Sequence, residues 1–153
     1  MTPPLLVLAW GNLSRGDDAL GPRCLAALRE QLPDALQGQV EFLEDYQLQI
    51  EHALDLVGRQ RVLLIDASLN CAAPFEVTAL QAAQDASFTT HALSPQALLQ
   101  VFQDVQGEPP PPCTLLAIRG EAFELGEPPG ASAMAHLQSA LQWARRWLHA
   151  EGG

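Results

Sequence analysis

The sequence predicts a single three-layer α/β domain over residues 1–153, with a mostly parallel twisted sheet of about five strands between helices. Two observations carry this. Short, wholly apolar runs alternate along the chain with segments of helical spacing, the pattern of strands joined by right-handed crossovers. The strongest runs, Leu5–Trp10 and Val62–Ile65, are apolar without alternation, as strands covered on both faces must be.

Leu5-Leu6-Val7-Leu8-Ala9-Trp10 is the first expected strand. Pro22 to Leu32 follows as a helix, with Leu25, Leu28 and Leu32 three and four residues apart. Val40 to Leu43 is a short strand. Ile50 to Val57 reads as a helix presenting Ile50, Leu54 and Val57 on one face. Val62 to Ile65 is the clearest buried strand. Phe75 to Leu80 alternates apolar and polar, which suits an edge. Pro95 to Val105 is helical, capped by Ser94 with proline in the first turn and with Leu98, Leu99 and Phe102 inward. The prolines at 109–112 read as a stiff connection into a strand over Thr114–Ile118. Met134, Leu137, Leu141, Ala144 and Leu148 mark a long closing helix.

Composition narrows the chemistry. Eighteen acidic residues face eight basic ones, a formal charge of −10, and all eight are arginine. Without lysine there is no Schiff-base lysine and no Gly-Lys-Ser/Thr phosphate loop. The charge, with no basic cluster, argues against a nucleic-acid or anionic-membrane partner. No run approaches the ~18 apolar residues of a membrane span, and Met1-Thr2-Pro3-Pro4 lacks the positive start of a secretory signal. The cysteines are three, Cys24, Cys71 and Cys113, with no metal-site spacing; they are expected to be reduced, mostly buried thiols in a cytoplasmic protein.

In sheets of this class, chemistry gathers outside the carboxyl ends of the strands. After the first strand comes Gly11-Asn12-Leu13-Ser14-Arg15-Gly16-Asp17-Asp18-Ala19-Leu20-Gly21. Its spacing is not that of a dinucleotide cradle, and paired carboxylates would repel a pyrophosphate. Asp66 ends the Val62–Ile65 run, and His91 precedes the helix at Pro95. Each has an ordinary reading: Asp17 or Asp18 caps the helix, Asp66 accepts N–H groups from residues 67–70, and His91 is a loop histidine. His52, His136 and His149 fall in helical stretches without a partner histidine, and no Gly-x-Ser-x-Gly elbow occurs. Taken together, Asp18, Asp66 and His91 bring two carboxylates and an imidazole to one sheet edge. That donor set suits a divalent metal such as nickel or zinc, or general acid–base work by paired carboxylates.

The apolar strand, Gly11-Asn12, Gly16-Asp17-Asp18 and Gly21 resemble the opening signature of the nickel–iron hydrogenase maturation endopeptidases. Ile65-Asp66-Ala67 is similar to that family's second strand-end motif, and His91 with its leucine-rich helix to the third. Tyr46-Gln47-Leu48-Gln49 with Glu51–Leu56, and Arg119–Glu127, look like the members serving soluble NAD-reducing hydrogenases. Many other members carry an acidic residue, glycine and threonine around Asp45. The resemblance implies an endopeptidase that removes the C-terminal extension of a hydrogenase large-subunit precursor after nickel insertion. It implies metal contacts at Asp18, Asp66 and His91, with the same residues catalytic, and recognition around Tyr46, Gln47, Arg119 and Glu121. The nickel would come with the precursor, and no organic cofactor, nucleic acid or membrane is expected. Two roles stay open at this point: nickel polarises the scissile carbonyl, or it positions the tail while Asp18 or Asp66 acts as base. The alternative function is a non-catalytic nickel carrier or assembly checkpoint.

Overall fold

A computed structural model describes residues 1–84 and 93–150. Among these residues five strands form one sheet: β1 (Leu5–Trp10), β2 (Val40–Asp45), β3 (Arg61–Ser68), β4 (Phe75–Ala79) and β5 (Cys113–Arg119). Their spatial order is β2-β1-β3-β5-β4, parallel throughout except for the antiparallel edge strand β4. Among the described residues four α-helices accompany them: α1 (Leu20–Glu30), α2 (His52–Asp55), α3 (Pro95–Gln106) and α4 (Ala131–His149).

The apolar runs form strands because both of their faces are covered. Leu6 to Ala9 and Val62 to Ile65 have no exposed surface. Val7, Ala9, Leu63, Ile65, Leu116 and Ile118 pack against α1 and α4. Leu6, Leu8, Val62 and Leu64 pack against α2 and α3 on the other face. These two cores make the three layers. All three cysteines are buried and unbridged.

The expected elements recur with shifted ends. Helix α1 begins two residues earlier than expected, at Leu20. Strand β3 runs on to Ser68, so Asp66 lies within it. Ser94 caps α3 as expected, accepting the Ala97 N–H at 3.1 Å. The segment 50–57 departs most. Its helix is one turn, and Ile50, Leu54 and Val57, expected to share an apolar face, are 59%, 64% and 39% exposed. Leu48, His52, Ala53 and Leu56 are buried instead. A single turn does not carry an i, i+4, i+7 stripe, so the spacing there had no face to mark.

At the amino ends of the strands, two arginines staple the chain. Arg59 donates to the carbonyls of Asp55 and Pro3 and pairs with Glu41. Arg61 donates to the carbonyls of Trp147 and Ala150 and lies 4.3 Å over the Trp147 ring, a cation–π contact. An open groove of about 850 Å³ on this side, lined among others by Pro3, Arg29, Val40 and Phe42, lies at the edge opposite the expected site.

Candidate active site

The strand order reverses at β1. The chain leaves β1 for β2 on one side and returns to β3 on the other, which opens a crevice between the carboxyl ends of β1 and β3. Asp66 lies on β3, and Asp18 on the 3-10 turn Gly16–Ala19 that follows β1. Two glycines let this turn settle onto the sheet. Gly11 holds a φ of 149°, and a Cβ there would stand 2.1 Å from the Asp18 carbonyl oxygen. A Cβ at Gly21 would meet the carbonyls of Ile65 and Trp10, each at 2.9 Å. Side chains at either position would lift the turn off the strand ends.

The carboxylates of Asp18 and Asp66 share this crevice. Burial pushes the Asp66 carboxyl up to about 7, against the hydrogen bond from the Ala67 N–H. The negative charge of Asp18 raises it further, and a hydrogen bond from the Trp10 indole lowers it. Asp18 accepts the Asn12 backbone N–H at 2.8 Å. Two carboxylates held together with little compensation make a place where positive charge is favoured. Among the described residues, however, no group of three His, Cys, Asp or Glu side chains could hold a metal ion. His91 lies outside the described residues.

The two adjacent aspartates part company here. Neither caps α1, whose N-cap is Ala19 without a side-chain bond. Asp17 is 2% exposed, and its carboxylate accepts the N–H groups of Glu121, Ala122 and Gly130 at 2.7, 3.0 and 2.8 Å. Burial alone would raise its pKa, but these three bonds reverse the shift and hold it below the usual value. Asp17 thus binds the 120–130 loop and the start of α4 to the turn that carries Asp18.

The other expected residues flank the crevice. Tyr46 and Gln47, just past β2, are exposed, and the Tyr46 hydroxyl accepts from Asn12 Nδ2 at 2.8 Å. Arg119 ends β5 on the far side. It donates to the Cys71 carbonyl at 2.8 Å, and its buried Nε has no partner among the described residues. Glu121 is exposed on the loop that Asp17 holds. Sequence reading passed over His52, which is buried and bonded to Asp45 at 3.1 Å. Its signal was slight: a histidine seven residues after an aspartate that ends a strand.

No sequence-family model matches the chain, and comparison with curated proteins gives no match. Solved structures do match. The hydrogenase maturating endopeptidase HybD from E. coli is 26% identical, with a TM-score of 0.73 over 95% of this chain and 91% of that one. The [NiFe] hydrogenase maturation protease HycI from Thermococcus kodakarensis KOD1 is 17% identical, with a TM-score of 0.72 over 97% of this chain and 94% of that one. At that identity it speaks to the fold. In overall fold and near-complete coverage, the chain is similar to solved structures of nickel–iron hydrogenase maturation endopeptidases, HybD among them.

Proposed function

We propose that the chain is a processing endopeptidase that removes the C-terminal extension of a nickel-loaded nickel–iron hydrogenase large-subunit precursor. The observation that carries this is the pairing of Asp18 and Asp66 at the β1/β3 crevice, joined to the likeness to HybD. In this reading nickel is part of the substrate. It arrives on the precursor, and Asp18, Asp66 and His91 complete its surroundings, His91 by the sequence resemblance.

The electrostatics supply a reason for cleavage to await the metal. An Asp66 carboxyl with a pKa near 7 is only partly ionised at neutral pH. A dication set between the two carboxylates favours ionisation of both. A precursor without nickel brings no such charge and leaves the aspartates repelling one another. Once ionised, a carboxylate at this position can take the proton of the water that attacks the scissile peptide. Tyr46 and Gln47 on one flank and Arg119 and Glu121 on the other contact the precursor, and the Tyr46–Gln49 segment directs the chain toward the precursor of a soluble NAD-reducing hydrogenase.

The test is a cleavage assay on a purified precursor with and without nickel. The wild-type chain shortens only the loaded form. Asp18→Asn and His91→Ala remain folded and lose processing by at least about a hundredfold, as expected for groups at the reacting centre. Normal processing by either variant removes it from the site. Nickel transfer without any cleavage would assign the chain as a carrier instead.

A further inference from the structure

Beside the crevice, α2 opens on a buried imidazole, His52, with no part in the reading above. The Gln49 backbone N–H donates to His52 Nδ1 at 2.8 Å. Nδ1 therefore carries a lone pair, and the ring proton sits on Nε2. Nε2 faces Asp45 Oδ2 at 3.1 Å. The other oxygen of Asp45 accepts the Tyr46 N–H, and the Gln49 side chain approaches both at 3.4–3.5 Å. The loop thus closes on itself around one neutral ring, 8% exposed.

That closure reaches the crevice. Tyr46 is itself 65% exposed, too open to be fixed by packing. Its hydroxyl nevertheless accepts from Asn12 Nδ2, and the backbone N–H of the same Asn12 donates to Asp18 Oδ2, both at 2.8 Å. A second path anchors the same place, from the Gly11 N–H to the Asp45 carbonyl at 3.2 Å. Hydrogen-bonded partners one step removed from a reacting carboxylate set its orientation and basicity.

We propose that His52 is a positioning residue, whose neutral ring between the Gln49 N–H and Asp45 fixes the 45–52 loop so that Tyr46, through Asn12, sets the Asp18 carboxylate. The role of Asp18 rests on the endopeptidase reading, but the chain of bonds to it does not. A second proton, on Nδ1, would set N–H against N–H at Gln49 and release one side of the loop. Among the described residues, charged groups that act on the ring include Asp45 on β2 and Asp55 on α2, and Glu41 and Arg59 act in turn on Asp55.

Two measurements on the free, full-length chain decide the proposal without any substrate. Nitrogen-15 NMR at neutral pH is expected to find His52 protonated on Nε2 and bare on Nδ1; a proton on Nδ1 overturns it. The Asn12 amide resonance, which reports the bond to Asp18, is expected to move in Tyr46→Phe. The aromatic ring stays in that exposed variant and only the hydroxyl is lost, so an unmoved resonance also overturns the proposal. With loaded precursor, Tyr46→Phe is expected to lower kcat about tenfold at nearly constant KM. A raised KM with unchanged kcat would make Tyr46 a simple contact and refute positioning. His52→Gln, which keeps an N–H for Asp45, should recover part of the activity lost in His52→Leu; equal loss in both counts against the proposal. A wild-type chain that cleaves no precursor ends the endopeptidase reading, while the two NMR results still decide the role of His52.

Discussion

Asp17 and Asp18 stand on one turn and meet different surroundings. Sequence places both at the start of a helix, where either is an ordinary cap, and cannot separate them, because their distinct partners lie more than a hundred residues away for Asp17 and across the crevice for Asp18. Asp17→Asn sets an amide N–H against backbone donors, and an expected loss of about 2–4 kcal/mol can be read from urea unfolding. With its folded pKa below 3.8, the contribution of Asp17 is complete above that value and fades only in stronger acid. Asp66 has the opposite sign. Its folded pKa of about 7 lies above the unfolded 3.8, so the native state holds the extra proton and stability falls as pH rises between the two. Asp66→Asn removes that slope. The variant should gain on the order of 1–3 kcal/mol over wild type at pH 8 and nothing near pH 3, as paired thermal melts would show. A constant difference across that range would contradict the proposed burial of charge.

At the scale of elements, strands and long helices were legible because their signals repeat. Val62 to Ile65 is apolar on four consecutive residues, and α4 repeats its apolar positions through five turns. The 50–57 segment was misread because eight residues offer too few repeats to tell a face from a coincidence. Its buried set, Leu48, His52, Ala53 and Leu56, follows the cap of the second core and not helical period. The consequence can be measured. Leu56→Ala should cost about 2–5 kcal/mol, whereas Leu54→Ser, at an exposed position, should stay within about 0.5 kcal/mol. Comparable losses at both would restore the longer helix. The end of β3 teaches a related point. Asp66 was expected just beyond a strand, and the hydrogen-bonded ladder carries on to Ser68 because β5 continues beside it.

For the whole molecule, sheet order decides where chemistry is possible. Alternation in the sequence predicts a mostly parallel sheet, but the order β2-β1-β3-β5-β4 is what brings Asp18 and Asp66 together. From sequence, strand-end position puts both at one sheet edge without saying which strands are neighbours. The charge of −10 is spread over mostly solvated carboxylates, and in the proposed function recognition rests instead on the residues on either side of the crevice. Because the proposed set of Asp18, Asp66 and His91 leaves a metal shell incomplete, the free chain should retain little metal. Dialysis against nickel followed by a weak chelator is expected to leave well under one equivalent, measured by plasma emission. Stoichiometric nickel surviving that treatment would point to a resident metal and against delivery by the precursor.

The two arginine staples have a practical corollary. Arg59 grips Pro3, and Arg61 grips Ala150, so both ends of the described chain are gathered at the edge of the sheet away from the crevice. A fluorescent label, affinity handle or surface tether joined at either end would therefore leave the working edge facing outward. An immobilised chain could then present its crevice to the proposed precursor, and binding and cleavage could be followed one molecule at a time.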